Sequence, residues 1–336
     1  MKFSAKSVGL VIAVTSAVSF GTSGAFIKPL LEAGWSPAAA VTIRALTGGV
    51  VLLPLLIISL RGRWPALWRG RWRVLGMGVI AVAFTQLAYF AAISRIPVST
   101  ALLIEYLAPL LLVLFTWATT RRTPRPMVLL GSVLAIGGLV LVIGPGALRA
   151  VDVWGLALAF AAAIGCAVYF VVAARPNDGL PPVALASSGL ILGSLTLAVA
   201  SAVGLVPFRT VMTDVTVVNS TAPWWLPLLV VAIVGTAIAY ATGIAGSARL
   251  GSRLASFVGL LEVVFASVFA WLVLGESLSP LQLLGGVLIL AGIASIPSEQ
   301  PAASPSAPPA PASPAASVAL SAEAPAVTRA PVVAAD

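Results

Sequence analysis

Continuous apolar runs of about 20 residues follow one another along most of the sequence. A helix of that length is about 30 Å long, which matches the hydrocarbon thickness of a bilayer. Only 9% of the residues are charged, against about a quarter in soluble domains, so charges are too few to cover a water-exposed surface. Strands of a membrane β-barrel would alternate polar and apolar residues over shorter segments. We therefore predict an all-α membrane protein with ten transmembrane helices, at roughly 8–27, 38–60, 74–93, 98–118, 127–144, 153–174, 183–206, 224–246, 254–274 and 281–296.

The second half of the sequence repeats the first at an offset of 154 positions. The matches at this offset include Arg95 with Arg249, Trp117 with Trp271, Pro126 with Pro280, and LLGSVL at 129–134 with LLGGVL at 283–288. Shared apolar composition does not produce Arg, Trp and Pro matches in one register. Since each half holds an odd number of spans, the second half is inverted in the membrane. We predict two inverted five-helix repeats, 1–150 and 151–298, with a substrate site between them near the bilayer midplane.

The placement of lysine and arginine predicts the orientation of the spans. Loops on the side of the N-terminus hold Lys2, Lys6 and the arginine-rich stretch 61–73, and the opposite side holds few basic residues. We predict a multi-pass protein of the cell membrane (the inner membrane) with both termini in the cytoplasm. The Ala/Pro/Ser-rich tail, 299–336, lacks apolar periodicity and is predicted to be disordered.

Two glutamates stand inside apolar spans. Glu105 and Glu262 each lie about eight residues into a span, roughly 12 Å deep at 1.5 Å per residue. An intramembrane acid costs about 2.5–3.5 kcal/mol at the bilayer centre, so it marks an ion or substrate pathway by default. Pro109 cannot donate to the carbonyl of Glu105, which leaves a backbone acceptor beside the acid. We predict that Glu105, with Glu262, couples protons or binds substrate; a neutral acid or an ion pair that holds helices together is the alternative.

Other polar residues inside the spans are weaker candidates for the cavity wall. Arg44 could bind an anionic group, pair with Glu105 or extend to the membrane interface. The remaining candidates share helical spacing or repeat positions, although Ser and Thr in membrane helices also bond to backbone carbonyls or allow close packing. They are Ser19, Thr22, Gln86, Tyr89 and Tyr240.

Several function classes are excluded by missing residue types. The chain has no histidine and one cysteine, Cys166, so it offers neither a Ser–His dyad, a His-based metal site nor an internal disulfide. No phosphate-binding G-x-x-x-x-G-K-[ST] loop is present. The net charge of +9 lies in loops without interleaved aromatic stripes, which argues against nucleic acid as a partner. We predict no enzymatic activity, no metal and no cofactor.

Three stretches resemble the EamA-type transporters of the drug/metabolite transporter superfamily. LGESLSPLQLLGGVLILAGI at 274–293 is similar to the family's L-G-E followed by Q-x-x-G-x-x-L-I-x-x-G, and 20–46 is similar to its opening helix, turn and arginine-bearing second helix. IPVSTALLIEYLAPLLLVL at 96–114 resembles the threonine/homoserine exporter branch, with a glutamate four residues before a proline. RRTPRP at 121–126 departs from the pattern, because the first repeat lacks L-G-E there. The resemblance implies ten helices in two EamA-type repeats and efflux of small metabolites such as amino acids.

These observations predict a secondary active transporter that exports small metabolites, amino acids or similar compounds, by proton-coupled alternating access. Its partners would be a small-molecule substrate, protons and membrane lipid, and a second copy of the chain stays open as a homodimer partner. The alternatives are a lipid-precursor flippase, a drug or quaternary-compound efflux protein and a channel. An intramembrane enzyme or scaffold would carry no solute at all.

Overall fold

Every predicted span contains a helix in the computed structural model, which describes residues 5–121, 123–144, 152–175, 179–217, 220–275 and 278–296. A π-helical segment, Gly76–Phe84, interrupts the third span. The predicted disordered tail, 299–336, lies outside the described residues. The α-helices of the first half are α1 (Ala5–Glu32), α2 (Pro37–Val51), α3 (Leu53–Ser59), α4 (Pro65–Arg69), α5 (Arg71–Leu75), α6 (Thr85–Ile93), α7 (Val98–Glu105), α8 (Ala108–Thr120) and α9 (Pro126–Ile143).

The second half has the same plan, with a two-stranded sheet added in its longest connection. A second π-helical segment, Ile233–Ile238, lies between α12 and α13. The elements are α10 (Val153–Ala174), α11 (Pro182–Ala202), β1 (Val215–Val217), β2 (Ser220–Ala222), α12 (Trp225–Ala232), α13 (Ala239–Leu250), α14 (Ser252–Gly259), α15 (Leu261–Leu274) and α16 (Pro280–Ala294).

The number of spans agrees with the prediction of ten. Among the described residues, eight helical stretches are long and apolar enough to cross a membrane, and α2 with α3 makes a ninth that is bent by 41°. Pro54, near the start of α3, has no N–H to continue the hydrogen bonding of α2, which explains the bend. The tenth, α16, is a shorter apolar helix of 15 residues. The all-α membrane fold is therefore confirmed.

Side-chain caps define several helix starts. The Ser279 hydroxyl accepts a hydrogen bond from the Gln282 N–H at 3.2 Å, and the Gln282 side chain accepts one from the Ser279 N–H at 2.8 Å. This reciprocal capping box, followed by Pro280 at the first helical position, begins α16 where the sequence predicts it. Asp152 caps α10 in a simpler way, since its carboxylate accepts the Gly155 N–H at 2.7 Å.

The last helices of the two repeats, α9 and α16, cross through matched glycines. A Cβ on Gly292 would lie 2.7 Å from the Gly131 carbonyl oxygen, and one on Gly131 would lie 2.8 Å from the Gly292 carbonyl oxygen. Gly138 and Gly285 approach each other in the same reciprocal way. The repeat offset relates Gly131 to Gly285 and Gly138 to Gly292, and the pairs run in opposite directions along the two helices. Such an exchange of equivalent contacts is what an inverted repeat with two-fold symmetry produces.

This crossing leads to a stability prediction. We expect Gly138→Ala to lower the free energy of unfolding by about 1–3 kcal/mol, because the added methyl overpacks a backbone contact. Gly137 is the matched control, since no atom lies within 4 Å of its added Cβ. Gly137→Ala should be neutral or stabilise by up to about 1 kcal/mol. Thermal unfolding of both variants in one detergent measures the difference, and equal midpoints would contradict the contact.

Both large buried clusters mix residues from the two repeats. One joins Leu56 and Met77 of the first half to Leu185 and Ile244 of the second. The other joins Leu139 to residues of α14 and α16, among them Phe257 and Ile289. The halves therefore interlock rather than form separate bodies, and space between them is enclosed by helices of both.

The hairpin in the connection after α11 is a feature that the sequence analysis did not predict. β1 and β2 pair antiparallel, with Val215 opposite Ala222. The preceding chain fastens to the turn between α1 and α2: the Trp35 indole N–H donates to the Val211 carbonyl at 2.5 Å, and the Arg209 N–H donates to the Ser36 hydroxyl at 2.9 Å. This connection covers one end of the bundle.

Candidate functional site

The helices of the fourth and ninth spans are each interrupted by a short turn. α7 ends at Glu105 and α8 begins at Ala108, whereas α14 ends at Gly259 and α15 begins at Leu261. The repeat offset places the two breaks at equivalent positions. In many transporters built from inverted repeats, interrupted helices lie next to the substrate site.

The causes of the two breaks differ. In the first, Pro109 supplies no N–H for the Glu105 carbonyl, and the Leu107 N–H turns back to the Ile104 carbonyl at 3.1 Å. In the second, no proline is present, but the Leu260 N–H donates to the Phe257 carbonyl at 3.1 Å in the same tight geometry. The second break therefore could not be predicted from a proline.

The π-helical segments also obey the repeat, since Ile233–Ile238 corresponds to the last six residues of Gly76–Phe84. A π-helix bonds each N–H to a more distant carbonyl and is frequent at functional sites. The Thr85 hydroxyl donates to the Ile80 carbonyl at 3.0 Å after the first segment, and the Ser16 hydroxyl donates to the Ala239 carbonyl at 2.8 Å after the second. Gln86 and Tyr240, which follow these points, are equivalent in the repeat.

A cavity of about 180 Å³ lies between the two repeats. That volume is far above the roughly 10–15 Å³ that one water needs. Helices of both halves form its wall, and both broken spans contribute to it. Its polar lining residues are Ser16, Ser23, Arg44, Thr85, Gln86, Glu105, Tyr106, Cys166, Tyr169, Tyr240, Ser247, Ser256 and Glu262.

One arginine and two glutamates, side chains of opposite charge, share this cavity. The Glu105 and Glu262 carboxyl groups and the Arg44 guanidinium all line its wall. Tyr106 lines the same cavity. Arg44 Nη1 donates to the Thr236 hydroxyl at 3.3 Å. Among the described residues, Arg44 forms no ion pair, so its charge is not neutralised by a direct contact there.

An aromatic wall closes one side of the cavity. The rings of Phe20 and Tyr240 meet edge to face at 5.1 Å, Tyr240 and Tyr169 at 5.7 Å, and Tyr169 and Phe170 at 5.0 Å. Edge-to-face pairs fix ring positions beyond what area burial does. Gly243 makes the room for this wall, because a Cβ there would overlap the Tyr169 hydroxyl. The result is a pocket that has an aromatic side in addition to its many polar lining residues.

Comparison with known proteins agrees with this architecture. The model of the EamA-like transporter family matches the chain twice, at residues 7–144 and 153–296. The chain belongs to the EamA-like transporter family. The two matches correspond to the two repeats, and the resemblance noted in the sequence is confirmed. A transporter family is also in line with the prediction that the chain is not an enzyme.

Relatives of this EamA-like chain include an exporter and an uncharacterized transporter. The threonine/homoserine exporter RhtA of Escherichia coli K12 is 30% identical over 213 residues, which cover 62% of this chain and 65% of the exporter. The uncharacterized transporter YwfM of Bacillus subtilis is 25% identical over 283 residues, covering 84% of this chain and 90% of YwfM. A crystal structure with 22% identity covers 86% of this chain and 96% of its own, with a TM-score of 0.65; at that identity the likeness concerns the fold.

The structure brings five of the eight predicted site residues to the cavity of this EamA-like protein. Those on the wall are Arg44, Gln86, Glu105, Tyr240 and Glu262. Arg44 therefore faces the cavity instead of the membrane interface. The roles of these residues remain predictions.

Tyr89, Ser19 and Thr22 are not among the lining residues. The Tyr89 ring packs beside Phe90 at 5.9 Å, in a small apolar cluster. The Thr22 hydroxyl donates to the Ser19 carbonyl at 2.7 Å. Along α1 the cavity face is instead Ala13, Ser16, Ala17, Phe20 and Ser23, which recur at helical spacing and include the neighbours of Ser19 and Thr22.

Several lining residues were missed in the sequence. Tyr106 could have been found because it lies next to Glu105. Gly243 could have been found because it is a glycine in a polar stretch. Cys166 and Tyr169 had no such signal, since α10 is apolar on all sides and nothing in its pattern distinguishes the cavity face from the lipid face.

Proposed function

We propose that this chain is a proton-coupled secondary transporter that exports small zwitterionic metabolites, amino acids above all, by alternating access between its two repeats. The observation that carries the proposal is the cavity between the repeats, where Glu105, Glu262 and Arg44 lie together. A zwitterion presents one carboxylate and one ammonium group, and this set offers a partner for each.

The two ends of an amino acid need different partners. A guanidinium binds a carboxylate through two parallel N–H donors, and Arg44 is the cationic residue of the cavity wall. The substrate's ammonium group donates hydrogen bonds to a carboxylate, and Glu262 or Glu105 supplies that carboxylate. The edge-to-face rings leave an apolar side for the substrate's side chain. The E. coli relative's name, a threonine/homoserine exporter, supports this substrate class.

Proton coupling is assigned to Glu105. A buried carboxyl group can carry a proton in place of a substrate cation, and it exchanges that proton when the cavity opens to the other side of the membrane. The break between α7 and α8 is beside it, so the group lies where the span can flex. Glu262 assists, because it lines the same cavity as Glu105.

The position of the cavity supports loading from the cytoplasm. Ser247 and Ser256 of the lining lie about one turn from Gly251, where α13 meets α14. On the opposite side, Ser23 lies more than two turns from the end of α1. In the proposed orientation, with both termini cytoplasmic, the cavity is nearer the cytoplasmic face, where an exporter collects its substrate.

Transport by purified protein in liposomes tests the proposal. We expect an imposed pH gradient to drive labelled threonine, homoserine or another amino acid across the membrane, and a protonophore to abolish the movement. A panel with quaternary cations and lipid precursors covers the competing functions. Movement of those compounds alone, or flux that ignores the gradient, would overturn the proposal.

The single cysteine provides a second test. Cys166 lines the cavity, so a bound amino acid should slow its alkylation by a membrane-permeant maleimide several-fold. The control is Ser94→Cys in a Cys166→Ser background, because Ser94 is exposed at the end of α6. Its labelling rate should not depend on substrate. The proposed site would be contradicted if the amino acid slowed labelling equally at both positions. It would also be contradicted if an amino acid that is transported did not slow labelling of Cys166.

A further inference from the structure

The connection between α3 and the third span is unlike every other connection in the sequence. The stretch 61–73, RGRWPALWRGRWR, holds five of the chain's 19 basic residues and three of its nine tryptophans. We call it the Arg/Trp segment. The nearest acidic residues along the sequence are Glu32 and Glu105, so the segment carries no counter-ion of its own.

The Arg/Trp segment is fastened to the bundle. Its α4 and α5 are short helices, and the Ala66 side chain is 1% exposed within the same buried cluster as Leu180 and Leu185. The Arg73 guanidinium donates to the Val172 carbonyl at 3.4 Å. These contacts hold the segment against α10 and α11 and fix which of its side chains point outward.

Trp68 and Trp72 point outward. Their exposed fractions are 72% and 69%, high values for the largest apolar side chain. The Arg71 guanidinium lies 4.9 Å from the Trp68 ring centre and 5.5 Å from that of Trp72, which is within cation–π range. Indole rings prefer the headgroup level of a bilayer, where one end is apolar and the other hydrated.

The four outward arginines have no carboxylate partner within the described part of the chain. They are Arg61, Arg63, Arg69 and Arg71. Orientation of the spans requires positive charge but neither the tryptophans nor their stacking on Arg71. Guanidinium groups bind phosphate through paired donors, and clustered basic residues next to a membrane helix attract anionic lipid.

We propose that the Arg/Trp segment is a binding site for anionic phospholipid. The outward arginines contact the phosphate-bearing headgroup, and Trp68 and Trp72 enter the boundary between headgroups and acyl chains. The site belongs to the lipid-facing surface and is separate from the transport cavity, so it does not depend on the proposed function.

Lipid binding by the full-length protein tests this site. The apparent affinity for dioctanoyl phosphatidylglycerol and for dioctanoyl phosphatidylcholine is measured in one detergent by native mass spectrometry. We expect the protein to prefer phosphatidylglycerol, and the variant with all four outward arginines changed to glutamine to lose roughly tenfold or more of that affinity. Soluble glycerol phosphate should not compete, because it lacks the chains that the tryptophans contact.

A second quadruple variant distinguishes binding at a specific site from an effect of the protein's net charge. Arg121→Gln, Arg125→Gln and Arg175→Gln in other connections, with Arg249→Gln in the last turn of α13, together remove the same charge. This control should keep its affinity within about twofold, and both variants should unfold at similar temperatures without added lipid. Equal loss in both variants, loss in neither, or tighter binding of a single-stranded RNA oligomer by the same arginines would overturn the proposal.

Trp68→Phe with Trp72→Phe gives an independent readout. Phosphatidylglycerol brominated on its acyl chains should quench the tryptophan fluorescence of the wild type more than that of this double variant. If the fluorescence of the two proteins is quenched to the same fraction, the rings do not enter the lipid and the proposed lipid site is contradicted.

Discussion

Glu105→Gln is expected to abolish uphill amino-acid transport driven by a pH gradient, leaving no more than the rate of protein-free liposomes. Glutamine keeps the size and hydrogen-bonding capacity of the side chain but cannot bind or release a proton. Proteoliposomes with an imposed gradient give the uphill rate.

A second assay separates proton coupling from substrate binding. Substrate counterflow at equal pH on both sides moves no net protons, so Glu105→Gln should retain it within a few-fold. Glu262→Gln should lose less of the uphill rate, because Glu262 is assigned an assisting role. Glu32→Gln is the matched control, since Glu32 is exposed at the end of α1 and outside the cavity lining. Full gradient-driven transport by Glu105→Gln would remove its assigned role.

Much of the fold follows from features that are strong in the sequence. The spans are visible because a bilayer requires about 20 apolar residues in each. The inverted repeat is visible because Arg, Trp and Pro recur in one register. Glu105, Glu262 and Arg44 stand out because a charge in an apolar span is costly. Each of these signals is strong because placing the wrong residue type in a bilayer has a large free-energy cost.

The orientation of helix faces was harder to predict for a physical reason. In a soluble helix, polar residues mark the side that faces water, but lipid and packed neighbours are both apolar. The cavity face of α1 therefore had to be judged from a few hydroxyls, and Ser19 and Thr22 were chosen where the structure has Ser16 and Ser23 on the wall. A π-helical segment adds to this difficulty, because its wider turn rotates all following residues relative to an α-helix.

Loss of the Arg44 guanidinium should change which compounds the cavity accepts. We expect Arg44→Gln to raise the KM for an amino acid by about ten- to a hundredfold, because the substrate carboxylate loses a charge-assisted pair of hydrogen bonds. Arg44→Lys should recover part of the affinity, since an ammonium group keeps the charge without the planar pair of donors. Transport rates of the three proteins at increasing substrate concentration give the KM values.

The diagnostic comparison is between an amino acid and the amine that lacks its carboxylate. The wild type should prefer the amino acid strongly. Arg44→Gln should transport the two compounds at similar efficiency, since it lacks the guanidinium that binds the carboxylate. Arg95→Gln serves as the control: its guanidinium is half-exposed and 3.7 Å from Asp152, away from the cavity lining, so the preference should persist. If Arg44→Gln lowered transport of both compounds equally, Arg44 would have a structural role through Thr236 and not a carboxylate-binding one.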